Sequence, residues 1–166
     1  MENYKELLDK ARRLNIEENK KYNDNGDTCL RESGFVLEDR HQLLYPKLNR
    51  LSSRGKKGDW DFAHNEILID IKGCWANKYG GTIFIERIAN IQKNTIPCFL
   101  KEQYKNNKKA LWYVDFETGT EYIIKLNELL PKLKYERTTL GGYNKNVLGW
   151  KINPNDWSDI TIKRRD

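Results

Sequence analysis

The chain has 166 residues, enough for a single domain that buries about two thirds of its unfolded surface. Apolar residues make up 38% and charged residues 33%, a lean core under a solvated surface, and 19 aromatics exclude a disordered chain. A net charge of +6 and a pI near 9.1 favour polyanionic partners.

Tyr4, Leu7, Leu8, Ala11 and Leu14 follow the i, i+3, i+4, i+7 spacing of one helix face, which predicts an amphipathic helix over 3–20. The turn residues "NDNGD" at 23–27 end it. Over 35–51, Leu43, Leu44, Leu48 and Leu51 give a helical face that Pro46 should break or kink. A Ser/Gly-rich basic loop follows, carrying Arg50, Arg54, Lys56 and Lys57.

The period then changes to two. Trp60 and Phe62 alternate with Asp59 and Asp61, and Ile67, Ile69 and Ile71 alternate with Leu68, Asp70 and Lys72. "AHNE" at 63–66 reads as the hairpin connection, "WANKYGG" at 75–81 as a second turn, and "TIFIERI" at 82–88 as a third strand. A helix is expected over 96–107, with Thr95 as N-cap and Pro97 in its first turn. "ALWYVDF" and "TEYIIKL" read as strands, "NELLPKL" as a short helix begun by Asn127, and "GGYNKNVLGWKI" as one more strand. The order of elements predicts one α+β domain with a mixed sheet, helical over 1–57 and with its core over 58–130.

Cys29, Cys74 and Cys98 are far apart and form no CxxC, and His41 and His64 are not spaced to complete a zinc site. Three reduced thiols are expected. The first residues lack the apolar core of a signal peptide, and no run reaches the ~18 apolar residues that span a bilayer. A soluble, cytoplasmic protein without a membrane partner is the expectation.

Asp is disfavoured in strands, yet Asp59, Asp61 and Asp70 stand with Lys72 within two adjacent ones. With an even hairpin loop, Phe62 faces Ile67, Trp60 faces Ile69 and Asp59 faces Asp70. Trp60, Phe62, Ile67, Ile69 and Ile71 then form a core face, and Asp59, Asp61, Leu68, Asp70 and Lys72 the opposite one. Facing carboxylates repel unless a cation lies between them, and Mg²⁺ is suited to one or two carboxylates plus waters. Lys72 could hold a water or stabilise charge developing on a phosphate, and Glu86 could add an oxygen ligand or orient a water. Such a set suits phosphodiester hydrolysis, although alternating charges also occur on ordinary solvated strands. Trp75 could stack on a base or pack over the sheet.

"GDWDF…ILIDIKG" resembles the Asp…(Asp/Glu)-x-Lys signature of the PD-(D/E)XK nuclease superfamily, the restriction-endonuclease-like fold, with Asp70-Ile71-Lys72 as its second element. "TIFIERI" with the later "CFLKEQYKNNKKALWYVDF" is similar to small phage-type nucleases of that fold. The resemblance implies a helix, a three-strand antiparallel meander, then a helix and further strands. It implies an endonuclease acting on duplex or branched DNA with Mg²⁺ or Mn²⁺, in a bacterial or phage-infected cell. Asp70 and one of the first two aspartates would hold the metal, Lys72 would assist the attacking water, and Glu86 would support the site. Hairpin pairing favours Asp59 as the first ligand and position in the motif favours Asp61; Asp61 is preferred, with Asp59 as neighbour or substitute. Arg50, Arg54, Lys56, Lys57, Lys78 and Arg87 are the expected phosphate contacts. A homodimer is implied by analogy with enzymes that cut both strands. The alternative is a catalytically inactive relative that binds nucleic acid or a protein partner, such as a phage counter-defence factor.

Overall fold

Asn3 starts the first helix with a reciprocal cap. Its Oδ1 accepts from the Lys5 and Glu6 amides at 2.9 and 3.0 Å, and Glu6 Oε2 accepts from the Asn3 amide at 2.8 Å. Helix α1 spans Tyr4–Asn25, so it continues through the first part of "NDNGD", beyond the expected end at residue 20. The computed structural model describes residues 2–25, 32–52, 60–86, 109–126, 138–139 and 148–164. The expected helices over 96–107 and 127–133 lie outside these, as do Cys29 and Cys98.

Helix α2, Glu32–Leu44, stops before Pro46, which cannot donate to a continuing turn. Strands β1 (Asn49–Arg50), β2 (Phe62–His64) and β3 (Ile67–Cys74) follow. Then come β4 (Ile83–Glu86), β5 (Lys109–Asp115), β6 (Glu121–Lys125), β7 (Thr138–Thr139), β8 (Leu148–Ile152) and β9 (Thr161–Lys163). The main sheet is six-stranded, in the order β1-β2-β3-β5-β6-β9, and mixed, because β3 and β5 run parallel. The α+β class and the mixed sheet expected from the sequence are both present.

The antiparallel meander is made of β1, β2 and β3, and "TIFIERI" is not its third strand. β3 has both edges occupied, by β2 and by seven paired residues of β5. The turn at 75–81, with Gly80 and Gly81 at φ +67° and +84°, redirects the chain. β4 then pairs with β8 in a separate three-stranded sheet, β4-β8-β7. Ile83 and Ile85 bury against the main sheet, and the Tyr113 hydroxyl donates to the Phe84 carbonyl at 3.0 Å.

Two cores result. On one face of the main sheet, Leu7, Leu8, Ala11, Val36 and Leu37 of the helices cover Phe62, Ile69, Ile71, Ala110, Trp112 and Val114. On the other, Ile83, Ile85, Trp150 and Ile152 cover Leu111, Tyr113, Tyr122 and Ile124. β5 is therefore buried on both faces, which is why "ALWYVDF" is a continuous apolar run.

Gly73 sits where β3 passes under Phe116. A Cβ there would overlap the Phe116 ring and lie 3.1 Å from Leu37 Cδ1. Gly73→Ala is expected to cost about 1–3 kcal/mol by overpacking, read as a lower urea midpoint with an unchanged slope.

Candidate active site

The site begins with a two-residue turn. Asn65 takes φ 53°, which Asn tolerates, and Asn65-Glu66 alone connect β2 to β3. The register is Phe62↔Ile69, Ala63↔Leu68 and His64↔Ile67. This is shifted by two residues from the expected pairing, because His64 and Ile67 close the hairpin and Ala63 is not part of its loop. Asp61, not Asp59, therefore comes level with Asp70. Asp59 lies outside the described residues.

At Asp61 the ladder gives way to side-chain bonding. The Asp61 amide donates to the Ile69 carbonyl at 3.0 Å, while Asp61 Oδ2 accepts from the Ile71 amide at 2.7 Å. The Asp61 carbonyl in turn accepts from the Leu51 and Ser52 amides, at 2.7 and 3.2 Å. Such a bend breaks the two-residue alternation. Trp60 accordingly packs in the core beneath the second sheet, not with Phe62, Ile69 and Ile71 as the alternation predicts.

The Asp61 and Asp70 carboxyls are neighbours that act on one another's charge. Burial first, and then the neighbouring Asp70 carboxyl, push the Asp61 carboxyl from its ordinary 3.8 up to about 8, against the lowering effect of the Ile71 amide. At neutral pH the Asp61 carboxyl therefore keeps its proton. Lys72 Nζ lies 2.9 Å from Asp70 Oδ2, and their side chains are 28% and 22% exposed, so the group is open to a ligand from solvent.

One residue of this neighbourhood has no counterpart among the sequence candidates. Glu38 of α2 is 6% exposed, accepts from the Ser52 hydroxyl and from Arg50 Nη2 (3.0 Å), and adds its negative charge to the field that raises Asp61. Its signal was present in the sequence: α2 buries Ser33, Glu38, Arg40 and His41 beside Val36 and Leu37, so the stretch has no clean apolar face. Among the described residues, no three Asp, Glu, His or Cys side chains converge in a way that could hold a metal. The carboxyl pair matches the one or two carboxylates that Mg²⁺ takes together with water.

The remaining candidates are dispersed. Arg50 is bonded to Asp39 at 2.6 Å and to Glu38 at 3.0 Å, so its guanidinium braces β1 against α2. Lys78 Nζ lies 5.9 Å from the ring centroids of both Trp75 and Tyr79. Trp75 packs on Phe116 at 5.2 Å and donates Nε1–H to Asn15, the packing alternative for that residue. Glu86 ends β4 opposite Gly149, in the second sheet, not beside β3. Arg54, Lys56, Lys57 and Arg87 lie outside the described residues. Cys74 is a free thiol that burial pushes up to about 12, so it stays protonated. Among the described residues no helix is long and apolar enough to cross a membrane.

The raised Asp61 carboxyl has a consequence for stability. Folded Asp61 keeps its proton to about pH 8, and unfolded Asp61 loses it near 3.8. Its contribution is therefore full below about pH 4 and is lost as pH rises toward 8, a change on the order of a few kcal/mol. In EDTA, thermal melts between pH 5 and 8 are expected to show a falling melting temperature, and Asp70→Asn should flatten the fall. No family model, no curated protein and no solved structure matches this chain.

Proposed function

We propose that the protein is a metal-dependent endonuclease that hydrolyses DNA phosphodiesters, with a restriction-endonuclease-like core built around β2 and β3. The observation that carries this reading is the register that brings Asp61 level with Asp70, with the Lys72 ammonium 2.9 Å from Asp70. Two neighbouring carboxyls in a partly buried place, one of them kept protonated, are reconciled equally well by a divalent cation. Asp61 and Asp70 would hold Mg²⁺ or Mn²⁺, with Asp59 a short distance along the chain. The cation would supply a water of lowered pKa and neutralise charge on the phosphate. Lys72 then stands where it can hold the attacking water or stabilise the pentavalent phosphorus. Glu86, expected as the supporting carboxylate, ends a strand of the second sheet and takes no part in this reading. Arg54, Lys56, Lys57, Lys78 and Arg87 supply positive charge for the DNA backbone, and Arg50 acts by holding β1. A homodimer would allow both strands to be cut.

The test is incubation of purified protein with supercoiled plasmid in Mg²⁺ or Mn²⁺, beside branched DNA and RNA. Nicked or linear plasmid is expected, and EDTA should prevent its formation. Protein that binds DNA but leaves every substrate intact with both metals would replace the enzyme with the binding module.

A further inference from the structure

The turn at 75–81, between β3 and β4, is bonded along most of its length. Trp75 packs on Phe116 at 5.2 Å and donates Nε1–H to Asn15 at 3.0 Å. The Asn77 amide donates to Asp115 Oδ2 at 3.3 Å, and Asn77 Nδ2 donates to Glu117 Oε2 at 2.8 Å. The Tyr79 amide closes a helical turn on the Trp75 carbonyl at 3.1 Å, and the Gly81 amide donates to the Ala76 carbonyl at 2.7 Å. Ala76 between them is fully buried.

On this braced backbone Tyr79 is 65% exposed, more than Ile16, Leu43 or Leu51, the other large apolar side chains that reach solvent among the described residues. A single exposed ring is ordinary on a protein surface. This one has a cation beside it, since Lys78 Nζ lies 5.9 Å from the ring centroids of both Tyr79 and Trp75. An indole held by the core thus positions an ammonium next to an aromatic ring open to solvent. A ring and a cation side by side match a base and its phosphate. A duplex hides its base faces in the stack, so an unpaired nucleotide is the form of DNA that can use both. The turn also starts close to the carboxyl pair. Trp75 follows Lys72 by three residues, about 10 Å along a strand, or about three nucleotides at roughly 3.4 Å each.

We propose that the turn at 75–81 seats an unpaired nucleotide of the DNA substrate, its base stacked on Tyr79 and its phosphate met by Lys78. The proposal rests on the nuclease reading and narrows it. The substrate is then DNA with an overhang, gap or branch a few nucleotides from the bond that is cut.

The experiment is fluorescence anisotropy of two fluorescein-labelled duplexes, one blunt and one with a single-stranded overhang, with Ca²⁺ in place of Mg²⁺ to keep both intact. Tyr79→Ala should weaken binding of the overhang by about 5- to 100-fold, the loss of one stacked base, and leave the blunt duplex within about twofold. Tyr79→Trp should keep the wild-type preference, because another aromatic face also stacks. Lys78→Met should make the slope of log K against log salt for the overhang shallower by about 0.7, the loss of one phosphate contact. A folded Tyr79→Ala protein that loses affinity equally for both duplexes, or for neither, would overturn the seat alone, and plasmid cleavage by the wild type would still support the nuclease reading. A wild type that binds the overhang through Tyr79 but cuts no substrate would overturn the nuclease reading and leave the seat standing. A wild type that binds neither duplex at low salt would overturn both.

Discussion

Asp70→Asn is expected to reduce metal-dependent cleavage by about 10²–10⁴-fold while the metal-free variant melts at or above the wild-type temperature. Burial first, and then the neighbouring Asp70 carboxyl, push Asp61 up to about 8. An amide in place of the second carboxyl can donate to the first without taking up a proton. It removes like-charge repulsion from a partly buried position. Lys72 loses its 2.9 Å partner, but at 28% exposure it regains water at little cost. The same change removes one of two oxygens that would hold the metal, so stability and activity move in opposite directions. Lys72→Met should lower cleavage by a similar factor but should not raise stability, since it leaves the carboxyl pair without its neighbouring cation. Single-turnover cleavage rates and melts in EDTA read both quantities. If the two residues serve one step, the double variant should be scarcely slower than either single one.

The largest expected loss of stability lies elsewhere, at Glu121. This carboxylate is 0% exposed and accepts from Trp112 Nε1 at 3.0 Å, the Tyr45 hydroxyl at 2.6 Å and Arg40 Nη2 at 3.2 Å. Arg40 is 1% exposed, so its charge is also out of water. Removing one partner of such a pair leaves an uncompensated buried charge. Glu121→Gln, which keeps the shape and an acceptor oxygen, is expected to cost about 3–5 kcal/mol. Arg40→Met combined with Glu121→Gln should recover part of that loss, because the second change removes the orphaned cation. Urea unfolding of the three variants measures the coupling. Additive losses would show that Arg40 and Glu121 do not stabilise one another.

The strands were legible where two signals agreed. β3 alternates between the Ile69 and Ile71 core face and the Asp70 and Lys72 face, as its sequence requires. β5 is apolar on both faces and lies between β3 and β6. For the partner of Asp70 the two sequence arguments diverged: hairpin pairing gave Asp59, while position in the motif gave Asp61, the residue that the register brings level with Asp70. "AHNE" allows an even loop of either four or two residues, and the choice moves the pairing by two, from Asp59 to Asp61. Local pattern cannot distinguish them, since both keep the same faces. The third strand failed for a different reason: β-propensity in "TIFIERI" predicts a strand but not its neighbour, and the edge of β3 is taken by β5, which begins at Lys109, 35 residues after β3 ends at Cys74. Glu38 escaped because its helix buries charged residues that periodicity counts as exposed.

A Mn²⁺-soaked crystal tests the central claim most directly. One anomalous peak bonded to carboxylate oxygens of both Asp61 and Asp70, with Lys72 turned toward the solvent ligands of the ion, is the result expected. A crystal held at millimolar Mn²⁺ with no peak between Asp61 and Asp70 would contradict it.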